Sequence, residues 1–289
     1  MPSLKSLKMR ITSVKSTQKI TKAMKMVAAA KLRRAREAAE ATRPYAVAME
    51  QMVTRLAADS EGQANLPVLL TGTGKDTVQL LVVVTADRGL AGAFNSSIVR
   101  AARKRIRDIQ AEGKQVKLYC VGRKGRDWLA EYKPITIGSR TDLAKKITYA
   151  DAEAIAQEIF AELDKGGIDT ITLLFNHFKS VISQVVTFQQ LMPLVVEKKA
   201  DAGAEQPYDY EPSEEEILAD VLPRNFAMQL FSALLENNAG FYGSQMNAME
   251  NATKNAGEMI KKLTLKYNRT RQANITKELI EIISGAEAI

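Results

Sequence analysis

One cysteine, one histidine and one tryptophan among 289 residues leave little of the chemistry on which enzymes are usually built. Cys120 on its own can form no internal disulfide, which suits a reducing compartment. His177 falls in a different predicted strand from Cys120 with no third partner in the pattern, so neither a zinc site nor a nucleophilic triad is expected. Long apolar runs are also missing. The longest span five residues, as in Leu80–Val84, where a bilayer-crossing helix needs roughly 20. The lysine-studded N-terminus has no apolar block of the secretory type, and no membrane insertion is expected. Most telling is the lack of any Asp or Glu in residues 1–36.

That absence gives the charge a direction. Residues 1–58 hold thirteen basic and three acidic side chains, whereas residues 200–220 hold eight acids and no Lys or Arg, within a net charge of +8. The basic segment also carries a heptad. From Leu4 through Leu7, Ile11, Val14, Ala28, Leu32 and Val53 to Leu56, twelve of sixteen positions spaced by three and four residues are apolar. A 3.5-residue period held that long predicts a coiled coil. Its middle is mostly Ala and Thr, which lets two backbones approach closely. At ~1.5 Å per residue the helix would be ~80 Å long and would project from any small domain. Pro44 lies inside the repeat, and a bend rather than an end is expected there, because the stripe continues in register. A mitochondrial presequence is also basic and acid-poor, but no cleavage-like break interrupts the repeat.

The pattern then changes. Residues 57–77 are rich in Gly, Asp, Ser and Thr and read as a linker. Strand-like runs at 78–85, 116–121, 170–175 and 181–188 alternate with helical patterns at 95–111 and 147–163, which predicts a mainly parallel sheet of doubly wound type. Residues 197–213 read as an acidic loop. From Ser213, with Glu216 completing a capping-box pattern, a second helical stripe runs through Val221, Met228, Leu235, Tyr242, Met249 and Ala256. The expected organisation is an N-terminal coiled-coil helix at 1–58, a central Rossmann-like α/β domain at 78–195 and a C-terminal coiled-coil helix at 213–289. The two helices are expected to pair antiparallel. The longer second helix should then protrude alone from about Asn274.

Nucleotide motifs fail on inspection. Gly72-Thr-Gly-Lys75 lacks the earlier Gly and the following Ser or Thr of a phosphate loop, with Leu69 and Asp76 in those places. Asp87-Arg-Gly-Leu-Ala-Gly92 sits between a strand and a helix but is not G-x-G-x-x-G, and a tight turn needing glycine explains it. The basic stripe fits a solvated coiled-coil face, nucleic acid or an acidic protein surface. Residues 1–44 contain no aromatic side chain for stacking on single strands, which counts against nucleic acid.

Three segments resemble the gamma subunit of F-type ATP synthases: Ile11–Leu32 (ITSVKSTQKITKAMKMVAAAKL), Asp87–Asn95 (DRGLAGAFN) and Ile275–Ala288 (ITKELIEIISGAEA). The resemblance runs over essentially the whole chain. It implies a non-catalytic, cofactor-free central shaft with the α/β domain as its foot. It implies as partners the alpha and beta subunits of the catalytic hexamer, an epsilon-type stalk subunit and the membrane c-ring, and no nucleic acid. By that resemblance Thr21, Lys22, Met24 and Lys25 meet an acidic lever segment of the catalytic subunits. Arg269, Arg271, Gln272, Thr276 and Glu278 contact the ring's catch loops and sleeve, and Tyr210, Glu211 and Pro212 rest on the c-ring. Ala91 stands where many relatives have Cys, and no cysteine-bearing insertion suggests thiol regulation. The implied location is the periphery of a bacterial plasma membrane on its cytoplasmic side, with the matrix side of the mitochondrial inner membrane as the alternative.

Overall fold

The computed structural model describes residues 3–59, 66–143, 146–194 and 214–287. It divides into two compact units, one of residues 31–244 and one of residues 1–30 with 245–289. Two helices belong to both: α1 (Leu4–Asp59) and α6 (Glu214–Glu287). Pro44 lies within α1 and Pro223 within α6, and neither ends its helix.

The larger unit is built on β1 (Val78–Val84), β2 (Gln115–Val121), β3 (Thr136–Arg140), β4 (Thr170–Phe178) and β5 (Gln184–Met192), in the order β3-β2-β1-β4-β5. The first four run parallel, and β5 returns antiparallel as a hairpin from β4. Between them come α3 (Phe94–Ala111), α4 (Arg123–Trp128), a 3-10 turn (Ala130–Ile135) and α5 (Tyr149–Asp164), with the short α2 (Val68–Thr71) ahead of β1. The central strand β1 is buried along six of its seven positions, as a strand covered on both faces must be. Alternation assigns those faces. Leu80, Val82 and Val84 join Tyr119, Leu173 and Phe175 in a core with Ile155 and Ile159 of α5 and Phe226, Leu230 and Leu234 of α6. Leu81, Val83, Leu118 and Cys120 point the other way, toward the α3 side, where Ile98, Ala102, Ile106 and Ile109 are buried.

A second cluster joins α1 to α6 within this unit. Val53, Leu56 and Ala57 meet Leu218 and Leu222, with Leu70 of α2 beside them. Asp169 pins the entry to the sheet: it accepts hydrogen bonds from Thr73 Oγ1 (2.6 Å), Thr77 Oγ1 (2.6 Å) and the backbone N–H groups of Thr77 and Val78 (2.9 Å each). The threonine hydroxyls, with the two amides, hold its buried carboxyl well below the usual carboxylate range.

In the smaller unit the two helices pair antiparallel. Thr21 and Thr253 share a 2.7 Å hydroxyl contact, and Gln18 Nε2 donates to the Thr253 carbonyl at 3.4 Å. A Cβ on Gly257 would come within 3.0 Å of Gln18 Nε2, so the glycine lets the helices close up.

Several expectations need adjusting. The linker read at 57–77 contains the last turn of α1 and all of α2. β3 and α4 went unread, and β5 begins at Gln184 rather than 181, after a turn closed by Ser180 N–H to the Ser183 carbonyl (3.0 Å). Ser213 of the capping-box pattern lies outside the described residues.

Candidate functional site

The residues expected to meet partners fall into separate places. Of the first set, Thr21 is buried in the helical pair through Thr253, Met24 is half-buried and Lys22 is exposed. Lys25 donates to Glu250 Oε1 at 2.9 Å, and this bond holds the Glu250 carboxyl below its ordinary range. Around them runs a groove of about 870 Å³ lined by Lys19, Lys22, Lys25, Lys254 and Lys261, with Glu250 and Glu258 as its only acids. The positive character of α1 is therefore continued by α6. Sequence reasoning placed Lys22 and Lys25 here but missed Lys254 and Lys261, whose side of the site becomes visible only once the pairing register is known.

Arg269, Arg271, Gln272, Thr276 and Glu278 are all exposed on the last turns of α6. Thr276 Oγ1 donates to the Gln272 carbonyl at 3.0 Å, and Lys277 pairs with Glu281 at 3.4 Å. Among them, Leu265, Ile275, Leu279, Ile280, Ile282 and Ile283 are 49–68% exposed. Six large apolar side chains at that exposure are more than the scattered few an ordinary surface carries. Ile20, Met26 and Val27 on α1 are likewise more than half exposed. Tyr210, Glu211 and Pro212, assigned to the foot, lie outside the described residues.

The Asp87–Asn95 segment is a locked turn. Asn95 Oδ1 accepts from the Ala86 N–H (2.9 Å), and its Nδ2 donates to the Arg88 carbonyl (3.0 Å). Leu90 and Gly92 both have positive φ, +64° and +58°, and Leu90 projects with 64% of its surface exposed. Thr85 ties this turn to the end of β2 by donating to the Val121 carbonyl (3.1 Å) and to α4 by accepting from the Gly125 N–H (2.8 Å). Asn95 thus fixes the turn from within, and the Arg123 N–H reaches it from α4 by donating to Asp87 Oδ1 (2.8 Å).

The two rare residues stand apart. Cys120 is 1% exposed, and burial pushes its thiol up to about 12, so it is not a reactive thiolate. His177 Nδ1 pairs with Glu236 of α6. Among the described residues no group of three or more His, Cys, Asp or Glu could hold a metal ion, and no helix is long and apolar enough to cross a membrane.

A family model described as ATP synthase matches residues 3–289. Over the full length of both chains the sequence is 59% identical to the ATP synthase gamma chain of Azorhizobium caulinodans and 58% identical to those of Rhodopseudomonas palustris (strain BisB18) and Nitrobacter hamburgensis. The chain belongs to the ATP synthase gamma chain family. A cryo-EM structure of the Tetrahymena thermophila mitochondrial ATP synthase, covering its central stalk and c-ring, contains a chain 29% identical, with a TM-score of 0.61 over 81% of this chain and 99% of that one. A chain of the Euglena gracilis enzyme, at 19% identity and a TM-score of 0.67, shares the fold over 99% of this chain and 94% of that one. Long N- and C-terminal helices, with a mostly parallel sheet between them in the chain order, are thus the architecture of the gamma chain family, as the sequence led us to expect.

Proposed function

We propose that this chain is the non-catalytic central-stalk rotor of an F-type ATP synthase. Its helical pair turns within the hexamer of alpha and beta subunits, and the α/β domain faces an epsilon-type stalk subunit and the membrane c-ring. The observation that carries this reading is the surface of the helical pair, a five-lysine groove and an exposed apolar helix end, in a full-length relative of ATP synthase gamma chains. The chain supplies no catalytic group or cofactor. It works by contact: a shaft shifts a catalytic site between states only where its contacts with those states differ. Lysines on one side of the pair make the field felt by an acidic lever depend on the angle of rotation, and screening within about 10 Å keeps that attraction local.

In this reading Lys22, Met24 and Lys25 meet the levers, while Thr21 sets the spacing of the pair beneath them. Arg269, Arg271, Gln272, Thr276 and Glu278 engage the catch loops and sleeve, and Tyr210, Glu211 and Pro212 rest on the c-ring. The complex lies against the cytoplasmic face of a bacterial plasma membrane. Met24→Lys, assembled with its partner subunits, tests the lever contact. Proton pumping per ATP hydrolysed should fall while the complex still assembles; unchanged pumping overturns the assignment. Failure of the tagged chain to co-purify with ATPase subunits from its native membranes would overturn the whole reading.

A further inference from the structure

A cavity of about 40 Å³ lies at the carboxyl ends of β1 and β2, between the turn that follows β1 and the flank of α6. In parallel α/β sheets this edge is where ligands ordinarily sit, but size decides against an organic ligand here. Pockets that hold small molecules measure roughly 300–1,000 Å³, whereas a single water needs about 10–15 Å³. The cavity has room for about three waters.

Its chemistry points the same way. Asn237 lines it, is 4% exposed, and leaves its Oδ1 without a hydrogen-bond partner. The neighbouring turn cannot serve it with the Ala86 N–H, which is already given to Asn95. Asp87, Arg88 and Asn238 also border the space, while Leu234 and Phe241 wall it with apolar surface. A buried amide oxygen left dry is costly. Asp87 and Arg88 are of opposite sign, so the site calls for a neutral guest. Water also tolerates either orientation of the amide, since it both donates and accepts, whereas a cation serves only the oxygen.

We infer that this cavity is a hydration site, holding a small cluster of resident waters, one of which donates to Asn237 Oδ1 and bridges α6 to the turn after β1. The joint between α6 and the turn after β1 is then made partly through water, beside the direct Glu236–His177 pair that ties α6 to β4.

A map of the full chain at a resolution that separates individual waters tests this directly. Density is expected at hydrogen-bonding distance from the Asn237 amide, with a second contact to the 85–88 turn. An amide satisfied by a protein group with no density beside it, or a peak coordinated as a metal ion, overturns the inference. Oxygen-17 water relaxation dispersion gives an independent reading in solution. Asn237→Leu should remove part of the slowly exchanging component while the chain still melts cooperatively, and an unchanged dispersion in that folded variant refutes the site. If the variant does not fold, the map of the unaltered chain still decides.

Discussion

Gly122 shows how closely the chain is fitted at single residues. It closes β2 at φ +93°, and a Cβ there would lie 2.4 Å from the Thr85 carbonyl oxygen. Both the left-handed backbone and the contact forbid a side chain, so Gly122→Ala should cost about 3 kcal/mol, read from the urea midpoint of the isolated chain. Asp169 acts through charge instead of space. Asp169→Asn replaces the acceptor of four hydrogen bonds and should cost about 2 kcal/mol. Its pH behaviour has a definite sign. The folded carboxyl titrates below its unfolded counterpart, so its stabilisation is complete above about pH 4 and is lost as pH falls further toward the folded value. Acid unfolding of Asp169→Asn should lack that part of the slope, and matching acid curves for variant and parent would contradict the assignment.

At the level of elements, legibility followed periodicity. Every position of the α1 heptad, from Leu4 to Leu56, is buried or half-buried, because one face of that helix meets one kind of neighbour. α6 was read only in part. Leu218 and Leu222 pack toward α1, while Phe226, Leu230 and Leu234 pack on the sheet, so much of residues 222–243 is buried all round and no single stripe describes it. Met259, three residues beyond Ala256 of that stripe, is 45% exposed. β3 escaped because Thr136-Ile-Gly-Ser-Arg140 is a half-buried edge whose Gly138 yields to the Tyr119 ring, 2.6 Å from where a Cβ would stand. The candidate surfaces came from recognised motifs, but the α6 lysines of the groove required the register of the pair. Truncation should separate the two kinds of helix surface. Leu56→Ala, in the α1–α6 cluster, should cost about 3 kcal/mol, whereas Leu265→Ala, 60% exposed, should stay within about 0.5 kcal/mol by the same denaturant titration.

For the whole molecule, the question is which interactions serve the chain and which serve its partners. Lys25 and Glu250 do both on the proposed reading, and a charge swap distinguishes the roles. Lys25→Glu with Glu250→Lys rebuilds the pair inside the chain, so melting should return to that of the parent. Coupling measured in the assembled complex should not recover fully, because the charges have changed helices relative to the lever. Full recovery of both would reduce the pair to an internal contact. Removal of residues 275–289 should leave the melting temperature of the isolated chain unchanged, since its described side chains from Ile275 to Ser284 are exposed, while coupling in the complex falls. Cys120 has a practical consequence of another kind. As the sole thiol, buried on the face of β2 toward α3 and with its ionisation suppressed, it provides a natural silent background for site-directed labelling. A maleimide dye should leave the native chain unmodified and react only after denaturation, so one cysteine introduced on an exposed helix turn would carry a fluorophore or bead without prior removal of any native residue.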